Sequence, residues 1–239
     1  MSEAMAQKIK SLLTKAERSD FPEEAEAFSA KAAELMAKHA IDQAQVMADE
    51  GKQFVDIEHR RYTVGSPYSA DRMYLVAQVA EALGGSAYFF KQPRDGSKTR
   101  TNSKDHNTYA ALVGFSSDLD SIESMLESLN KQMERARARA VSRENFWGMG
   151  DKKVWNSTFI RTYAFRIGDR LKEAYEAELA VATGGAAIVL RDKRQLIEQE
   201  LQERKIGKSG KSSRQYNSRG AAAGRTAADS AVLRQGIER

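Results

Sequence analysis

The sequence contains no cysteine, and it has few of several other residues on which protein chemistry often depends. Its 239 residues include 3 histidines, 3 prolines and 2 tryptophans. The lack of cysteine excludes disulfides, thiolate nucleophiles and zinc sites built from cysteine ligands. No apolar run is long enough to cross a bilayer, and the N-terminus lacks the apolar core and cleavage site of a signal peptide. These absences predict a cytoplasmic protein that does not enter a membrane.

The composition is that of a folded protein with an uneven distribution of charge. Charged residues make up 30% and hydrophobic residues 41% of the chain, which is typical of globular proteins. The length allows one large hydrophobic core or two smaller ones. The formal net charge of +5 is small, but the basic residues are clustered.

Hydrophobic periodicity predicts a mainly helical α+β fold. In the first fifty residues, Ile9, Leu12 and Leu13 recur at helical spacing, and Asp20 followed by Pro22 marks the start of a second helix. Further along, the pattern predicts a small antiparallel or mixed sheet with long helices. Its strands are expected at 54–64, 86–91 and 108–115, and its helices at 69–83, from Ser117 onward, and at 154–182.

The C-terminal part is predicted to contain a short strand at 186–190, a charged helix at 191–205 and then a tail. From Arg204 to Arg219 there are six basic residues, four serines, two glycines and no acidic residue. This composition predicts a linker that is mobile in the free protein, followed by a weakly helical segment that either docks on another surface or stays mobile. The chain is thus divided into a helical domain (1–50), an α+β domain (51–203) and a basic tail (204–239), whose removal is expected to leave the melting temperature unchanged.

Residue patterns that carry catalysis are scarce. The three histidines, His39, His59 and His106, fall in different predicted elements and lack metal-binding spacing. Asp95 and Asp105 with His106 form the one cluster that could serve a metal-dependent nuclease. The Gly-Lys-Ser of the tail does not follow a strand and lacks the first glycine of a phosphate-binding loop. The sequence therefore predicts no catalytic residue, no metal and no cofactor.

Three basic clusters predict binding to nucleic acid or to a nucleic-acid complex, since Lys and Arg neutralise phosphates and release counterions. Trp147 and Tyr216 lie close to two of them in sequence and could stack on bases. A solvated helix face and a solubilising tail are the alternative explanation. The clusters are Arg94, Lys98, Arg100 and Lys104 in a loop; Arg135, Arg137, Arg139 and Arg143 at a helix end; and Lys205, Lys208, Lys211, Arg214 and Arg219 in the tail.

The N-terminal segment resembles a known family. Residues 8–42 read KIKSLLTKAERSDFPEEAEAFSAKAAELMAKHAID, and this run is similar to the family called domain of unknown function 2786. Later segments, among them VGFSSDLDSIESMLESL, FIRTYAFRIGDRLKEA, AIVLRDK and GAAAGRTAADSAVL, resemble the regions C-terminal to that domain in bacterial and phage proteins. The family offers no catalytic residues to carry over.

The resemblance implies a context rather than a chemistry. Such proteins are found among bacteriophage and actinobacterial genes, and a chain of this layout is similar to recombination directionality factors. Those factors bind a serine integrase on its DNA and switch it from integration to excision. The resemblance thus implies a non-enzymatic accessory protein with a serine integrase and its DNA as partners. Its protein contacts are expected on exposed aromatic residues, with Tyr88, Phe89, Phe90, Phe146 and Trp147 as candidates.

Two other functions remain open from the sequence. A stand-alone nucleic-acid-binding protein, such as a repressor or an anti-defence factor, would use the same basic residues without a protein partner. A metal-dependent nuclease would use Asp95, Asp105 and His106.

Overall fold

The chain folds as a mainly helical α+β protein with one small sheet, seen here in a computed structural model. The structure describes residues 3–18, 28, 31–32, 34–42, 44, 57–93, 106–181, 186–206 and 215–231. None of the helices within these ranges has an apolar stretch long enough to cross a membrane. The elements are α1 (Glu3–Arg18), α2 (residues 34–42), β1 (Glu58–Val64), α3 (Ser69–Ala82), β2 (Ser86–Pro93), β3 (His106–Gly114), α4 (Ser116–Val141), α5 (Met149–Val181), α6 (Ala186–Glu203) and α7 (Ser218–Asp229).

The sheet is antiparallel, with β3 between β1 and β2. Because side chains alternate along a strand, each strand contributes to both faces of the sheet. On the inner face, Ala110 and Leu112 are buried against the helices in the main core. On the outer face, Val113 packs against Ile197 and Leu201 of α6 at one end of the sheet.

One large hydrophobic core joins the sheet to most of the helices. Its centre is a row of fully buried aromatic rings on α5, where Trp155 lies 5.3 Å from Phe159, and Phe159 lies 6.4 Å from Tyr163, between ring centroids. Helix α5 packs against both α3 and α7. Ile9 of α1 and Ala228 of α7 also belong to this core, so all three predicted units contribute to it.

The strands and the long helices agree with the sequence prediction, whereas the predicted strand at 186–190 is wrong. Residues of that segment form the first turn of α6, which continues to Glu203. Leu190 and Ile197, seven residues apart, are both buried, and this spacing brings residues to the same face of a helix. The β-branched Ile188 and Val189 suggested a strand from local preference alone. The helix predicted to begin at Ser117 begins one residue earlier, at Ser116.

Helix α6 is joined to the body by two polar contacts as well as by apolar packing. Lys193 forms a buried ion pair with Asp118 of α4, and its Nζ also lies 4.8 Å from the ring centroid of Phe115. Near the other end of α6, Glu200 lies 2.9 Å from Nε2 of His59 on β1. These contacts fix α6 across one end of the outer face of the sheet.

The C-terminal helix α7 is an integral part of the fold, so the segment predicted to be weakly helical is a helix that docks on the body. The Cα atoms of Gly220 and Gly224 lie so close to α5 that an added Cβ would stand 2.6 Å from the carbonyl oxygen of Trp155 and 2.4 Å from that of Phe159. Glycine weakens an isolated helix, but here it allows close helix packing. The stretch from Arg204 to Arg219, predicted to be mobile, is described at its two ends, and residues 207–214 lie outside the described ranges.

The position of α7 changes the expectation for truncation. Ala221, Ala228 and Ala231 are buried, so removing residues 204–239 exposes the α5 surface that α7 covers. We therefore expect the truncated chain to melt at a lower temperature than the full chain, contrary to the expectation from composition. Thermal unfolding followed by circular dichroism measures the difference.

Candidate binding site

The connection between α4 and α5 exposes large apolar side chains on a well-held backbone. Phe146 points inward, with its ring 5.9 Å from that of Trp155 at 80°. The next residue, Trp147, is 96% exposed, and Met149 is 87% exposed. We call this region, from Arg135 through the connection to Lys153, the α4–α5 corner. An apolar surface of this kind adds nothing to the core, and such surfaces often mark interaction sites.

Asp151, in the first turn of α5, holds the backbone of the corner in place. Its carboxylate accepts hydrogen bonds from the backbone N–H of Trp147 at 3.3 Å and from the side-chain amide of Asn217 at 3.0 Å. Gly148 between them has a φ of 150°, which a residue with a side chain rarely adopts. Hydrogen bonding therefore holds the backbone at Trp147, while its side chain is exposed to solvent.

The start of α7 reinforces the same corner. Asn217 caps α7, because its side-chain oxygen accepts a hydrogen bond from Gly220 N at 2.9 Å. Arg219 donates to Glu144 at 2.9 Å, to the carbonyl of Asn145 at 3.2 Å and to Asp151 at 3.4 Å. The residue before this cap, Tyr216, is 71% exposed.

The corner carries more positive charge than its acidic residues neutralise. Arg139, Arg143, Lys152 and Lys153 are exposed, and within the described ranges none of the four has a carboxylate partner. Both acidic residues of the connection and the first turn of α5, Glu144 and Asp151, are bound by Arg219. The exposed apolar residues thus stand beside four uncompensated cations.

Two of the predicted binding arginines instead have structural roles. Arg137 forms an ion pair with Glu134 at 2.6 Å and donates to Asn156 at 2.5 Å, which ties α4 to α5. Burial alone would raise the pKa of Glu134, but the hydrogen bond and charge of Arg137, together with Arg72, hold it below the ordinary value. Arg219 joins α7 to the corner. Neither guanidinium is therefore free to bind phosphate without breaking contacts within the fold.

The remaining predicted binding residues divide between two places. Lys205 is exposed just after α6, in a left-handed backbone conformation with a φ of 53°, and does not belong to the corner. Arg135 is exposed near the end of α4, at the beginning of the corner. Arg94, Lys98, Arg100, Lys104, Lys208, Lys211 and Arg214 lie outside the described residues.

The five aromatic candidates for protein contact differ in their surroundings. Phe89 and Phe146 pack against the main core, and Tyr88 packs against the smaller cluster around Ile197. Phe90 stacks on Tyr109, with ring centroids 5.7 Å apart. Only Trp147 among these candidates is almost fully exposed.

The sequence prediction missed Met149, Lys152 and Lys153. The signal was present: Met149 stands between two glycines, immediately before Asp151 and the two lysines. A large apolar residue in such a setting has few neighbours in the chain that could bury it. The sequence alone does not show which of these residues point inward. In the structure Phe146 packs against Trp155, and Trp147 and Met149 are exposed.

The described histidines, which could support catalysis, lie in different elements of the fold. His59 contacts Glu200, and His39 lies in α2, half-buried. Among the residues that the structure describes, no three His, Asp or Glu side chains are grouped to hold a metal ion. Asp95 and Asp105, the acidic members of the predicted nuclease cluster, lie outside the described residues.

Comparison with known proteins identifies only the N-terminal part of the chain. Residues 4–43 match the family described as "Protein of unknown function (DUF2786)". The chain thus carries an N-terminal domain of unknown function, and the α4–α5 corner lies outside the matched residues. No curated protein and no solved structure is similar enough to the chain to count as a match.

Proposed function

We propose that this chain is a non-enzymatic accessory protein in a DNA transaction, and that its α4–α5 corner binds a protein–DNA complex. The observation that carries the proposal is the exposure of Trp147 and Met149 beside Arg139 and Arg143 on a fixed backbone. Large apolar side chains suit a protein partner, whereas uncompensated cations suit phosphates. A surface with both properties fits a protein that is already bound to DNA.

The geometry also favours specific over nonspecific binding. Trp147 is held by the hydrogen bond to Asp151, so little backbone freedom is lost when a partner covers it. Preorganisation of this kind raises affinity because the entropy cost of ordering the loop has already been met in the free protein. Tryptophan is also among the residues that most often dominate the binding energy of protein interfaces.

In its most specific form, the proposal makes the chain a phage-encoded recombination directionality factor. It would bind a serine integrase on its attachment-site DNA and favour excision. The resemblance of residues 8–42 and of the later segments to phage and actinobacterial proteins supports this form. The corner supplies the surface by which such a factor could contact both integrase and DNA.

A stand-alone nucleic-acid-binding protein is the second candidate. The four exposed cations that lack carboxylate partners favour it, and Trp147 could then stack on a base rather than enter a protein pocket. This function requires no integrase, so the two candidates differ in a measurable way.

Gel-shift titrations separate the two functions. The protein is added to labelled attachment-site DNA, to a serine integrase from the genome that encodes this chain, and to the complex of the two. We expect tight binding to the complex and weak binding to DNA alone. Equal affinity for DNA with and without integrase would favour the stand-alone function, and no binding in any arm would overturn both.

Replacing Trp147 with alanine is expected to weaken binding to the integrase–DNA complex by about 30-fold, since a central interface tryptophan contributes about 2 kcal/mol or more. The melting temperature should stay unchanged because Trp147 is 96% exposed. Ile188→Ala is the matched control, because Ile188 is an apolar residue of α6 that is 57% exposed. Equal affinities of the two variants would remove the corner from the interface.

A further inference from the structure

The outer face of the sheet carries a row of aromatic rings that begins beside α6, at Tyr88, and extends away from that helix. Phe90 on β2 and Tyr109 on β3 are paired in register, and their rings are stacked at 5.7 Å between centroids. Tyr88 continues the row, with its ring 6.3 Å from that of Phe90. All three are half-buried. We call these three residues the aromatic row.

An arginine completes the row on the third strand. The guanidinium carbon of Arg61 on β1 lies 3.7 Å from the ring centroid of Tyr109, a cation–π contact. Arg61 is exposed, and within the described ranges it has no carboxylate partner. Three strands therefore present Arg61, Tyr109 and Phe90 side by side on one surface.

The described positions of the three strands on this surface carry basic side chains and no acidic ones. On β1 these positions are His59, Arg61 and Thr63. At the α6 end, Lys205 follows the helix, whereas Arg204 is ion-paired with Glu200, the carboxylate that also contacts His59. Residues 94–105, which connect β2 to β3 in the sequence, contain four basic and two acidic residues.

From this arrangement we infer that the outer face of the sheet binds single-stranded nucleic acid. Unpaired bases stack on aromatic rings and on guanidinium planes, and the backbone phosphates of the strand pair with nearby cations. A base could stack against Phe90 or take the place of the Arg61 guanidinium on Tyr109, leaving Arg61 to contact a phosphate. A duplex is less suited, because its bases are already stacked and paired.

This surface differs from the corner in its elements, its residues and its ligand. The corner is built by α4, α5 and the start of α7, whereas the aromatic row lies on β2 and β3. DNA strands separate transiently in many DNA transactions, so a protein with both surfaces could hold an exposed strand while it contacts a partner. The inference does not depend on the identity of that partner.

The test is fluorescence anisotropy of the full chain with a labelled oligothymidine about 12 nucleotides long, a length within the range of known single-strand sites. A duplex of equal length serves as the comparison. We expect preferential binding to the single strand. Tyr109→Leu should weaken it about tenfold or more, because each stacked base contributes substantially to affinity, and Tyr109→Phe should retain it because the ring remains.

The role of Arg61 has a separate readout. Arg61→Gln should reduce the slope of log affinity against log salt by about 0.7 if the side chain contacts one phosphate of a single strand. Trp147→Ala, which alters the corner, should leave oligothymidine binding unchanged. Melting temperatures of all variants are measured in parallel, so that loss of fold is not mistaken for loss of binding.

Several results would overturn the inference. One is absence of oligothymidine binding by the wild-type chain, and another is equal affinity of wild type and Tyr109→Leu. If Tyr109→Leu instead weakens binding to the integrase–DNA complex while oligothymidine is not bound, the row is a protein-contact surface. If Trp147→Ala binds the integrase–DNA complex as tightly as wild type, the proposed role of the corner is contradicted, and the inference about the aromatic row is unaffected.

Discussion

Replacing Gly224 with alanine is expected to destabilise the protein by about 2–3 kcal/mol or more, which is at the upper end of overpacking effects. An added Cβ would stand 2.4 Å from the carbonyl oxygen of Phe159, and a backbone atom of a buried helix cannot easily move aside. Helix α7 must then shift away from α5. For a chain of this size, the melting temperature should fall by roughly 5–10 °C.

The matched control is Gly150→Ala, in the first turn of α5. No atom lies within 4 Å of the position where its Cβ would be placed, so this variant should melt at or slightly above the wild-type temperature. Thermal unfolding by circular dichroism compares the two. Equal melting temperatures for Gly224→Ala and wild type would mean that α7 does not pack closely on α5.

Replacing Lys193 with methionine is expected to cost about 3–5 kcal/mol of stability at neutral pH, because it leaves the Asp118 carboxylate buried without its partner. Both side chains of the pair are almost completely buried, with exposures of 9% and 5%. A second substitution, Asp118→Asn, removes the unpaired charge and should recover part of the loss. Arg191→Met is the control, since the ion pair of Arg191 with Asp192 is exposed.

The loss in Lys193→Met should depend on pH. Burial raises the pKa of Asp118 above the ordinary 3.8 even with Lys193 beside it, and removing Lys193 should raise it further. When the pKa of a carboxyl is higher in the folded state than in the unfolded state, the free energy of unfolding of the protein decreases as pH rises from the unfolded pKa through the folded pKa. The difference in free energy of unfolding between wild type and Lys193→Met should therefore decrease on acidification and increase toward neutral pH. A gap that widens at low pH would contradict this description of the pair.

Much of the fold followed from local periodicity. The apolar residues of α3, α4 and α5 recur at helical spacing, and those of the strands alternate, so one buried face could be recognised in each element. The beginning of α6 was misread because Ile188 and Val189 favour strands locally. In the structure Leu190 of this segment packs with Tyr175 of α5 and Ile41 of α2, residues that local preference does not take into account.

The packing of α7 could not be predicted for a related reason. Gly220 and Gly224 lower helix propensity, and their compensating role appears only when they meet the backbone of Trp155 and Phe159. Composition alone therefore indicated a weakly helical segment that either docks or stays mobile. The sequence showed the two glycines, but not the surface on which they pack.

The candidate site was predicted in part. The clustered arginines near Trp147 were evident, but the sequence could not show which of them already had partners. Arg137 is bound by Glu134 and Asn156, whereas Arg139 and Arg143 remain exposed. Similarly, Phe146 and Trp147 are adjacent aromatic residues, and only the fold determines which one enters the core. The aromatic row required knowledge of the strand register, which pairs Phe90 with Tyr109.

The proposed role is tested most directly by the direction of recombination. A serine integrase from the genome that encodes this chain is incubated with DNA carrying the two hybrid attachment sites, and excision products are quantified with and without the purified protein. We expect excision to increase with wild type and with Ile188→Ala, and to remain near the level of integrase alone with Trp147→Ala. Unchanged excision at saturating wild-type protein would contradict the proposed directionality role.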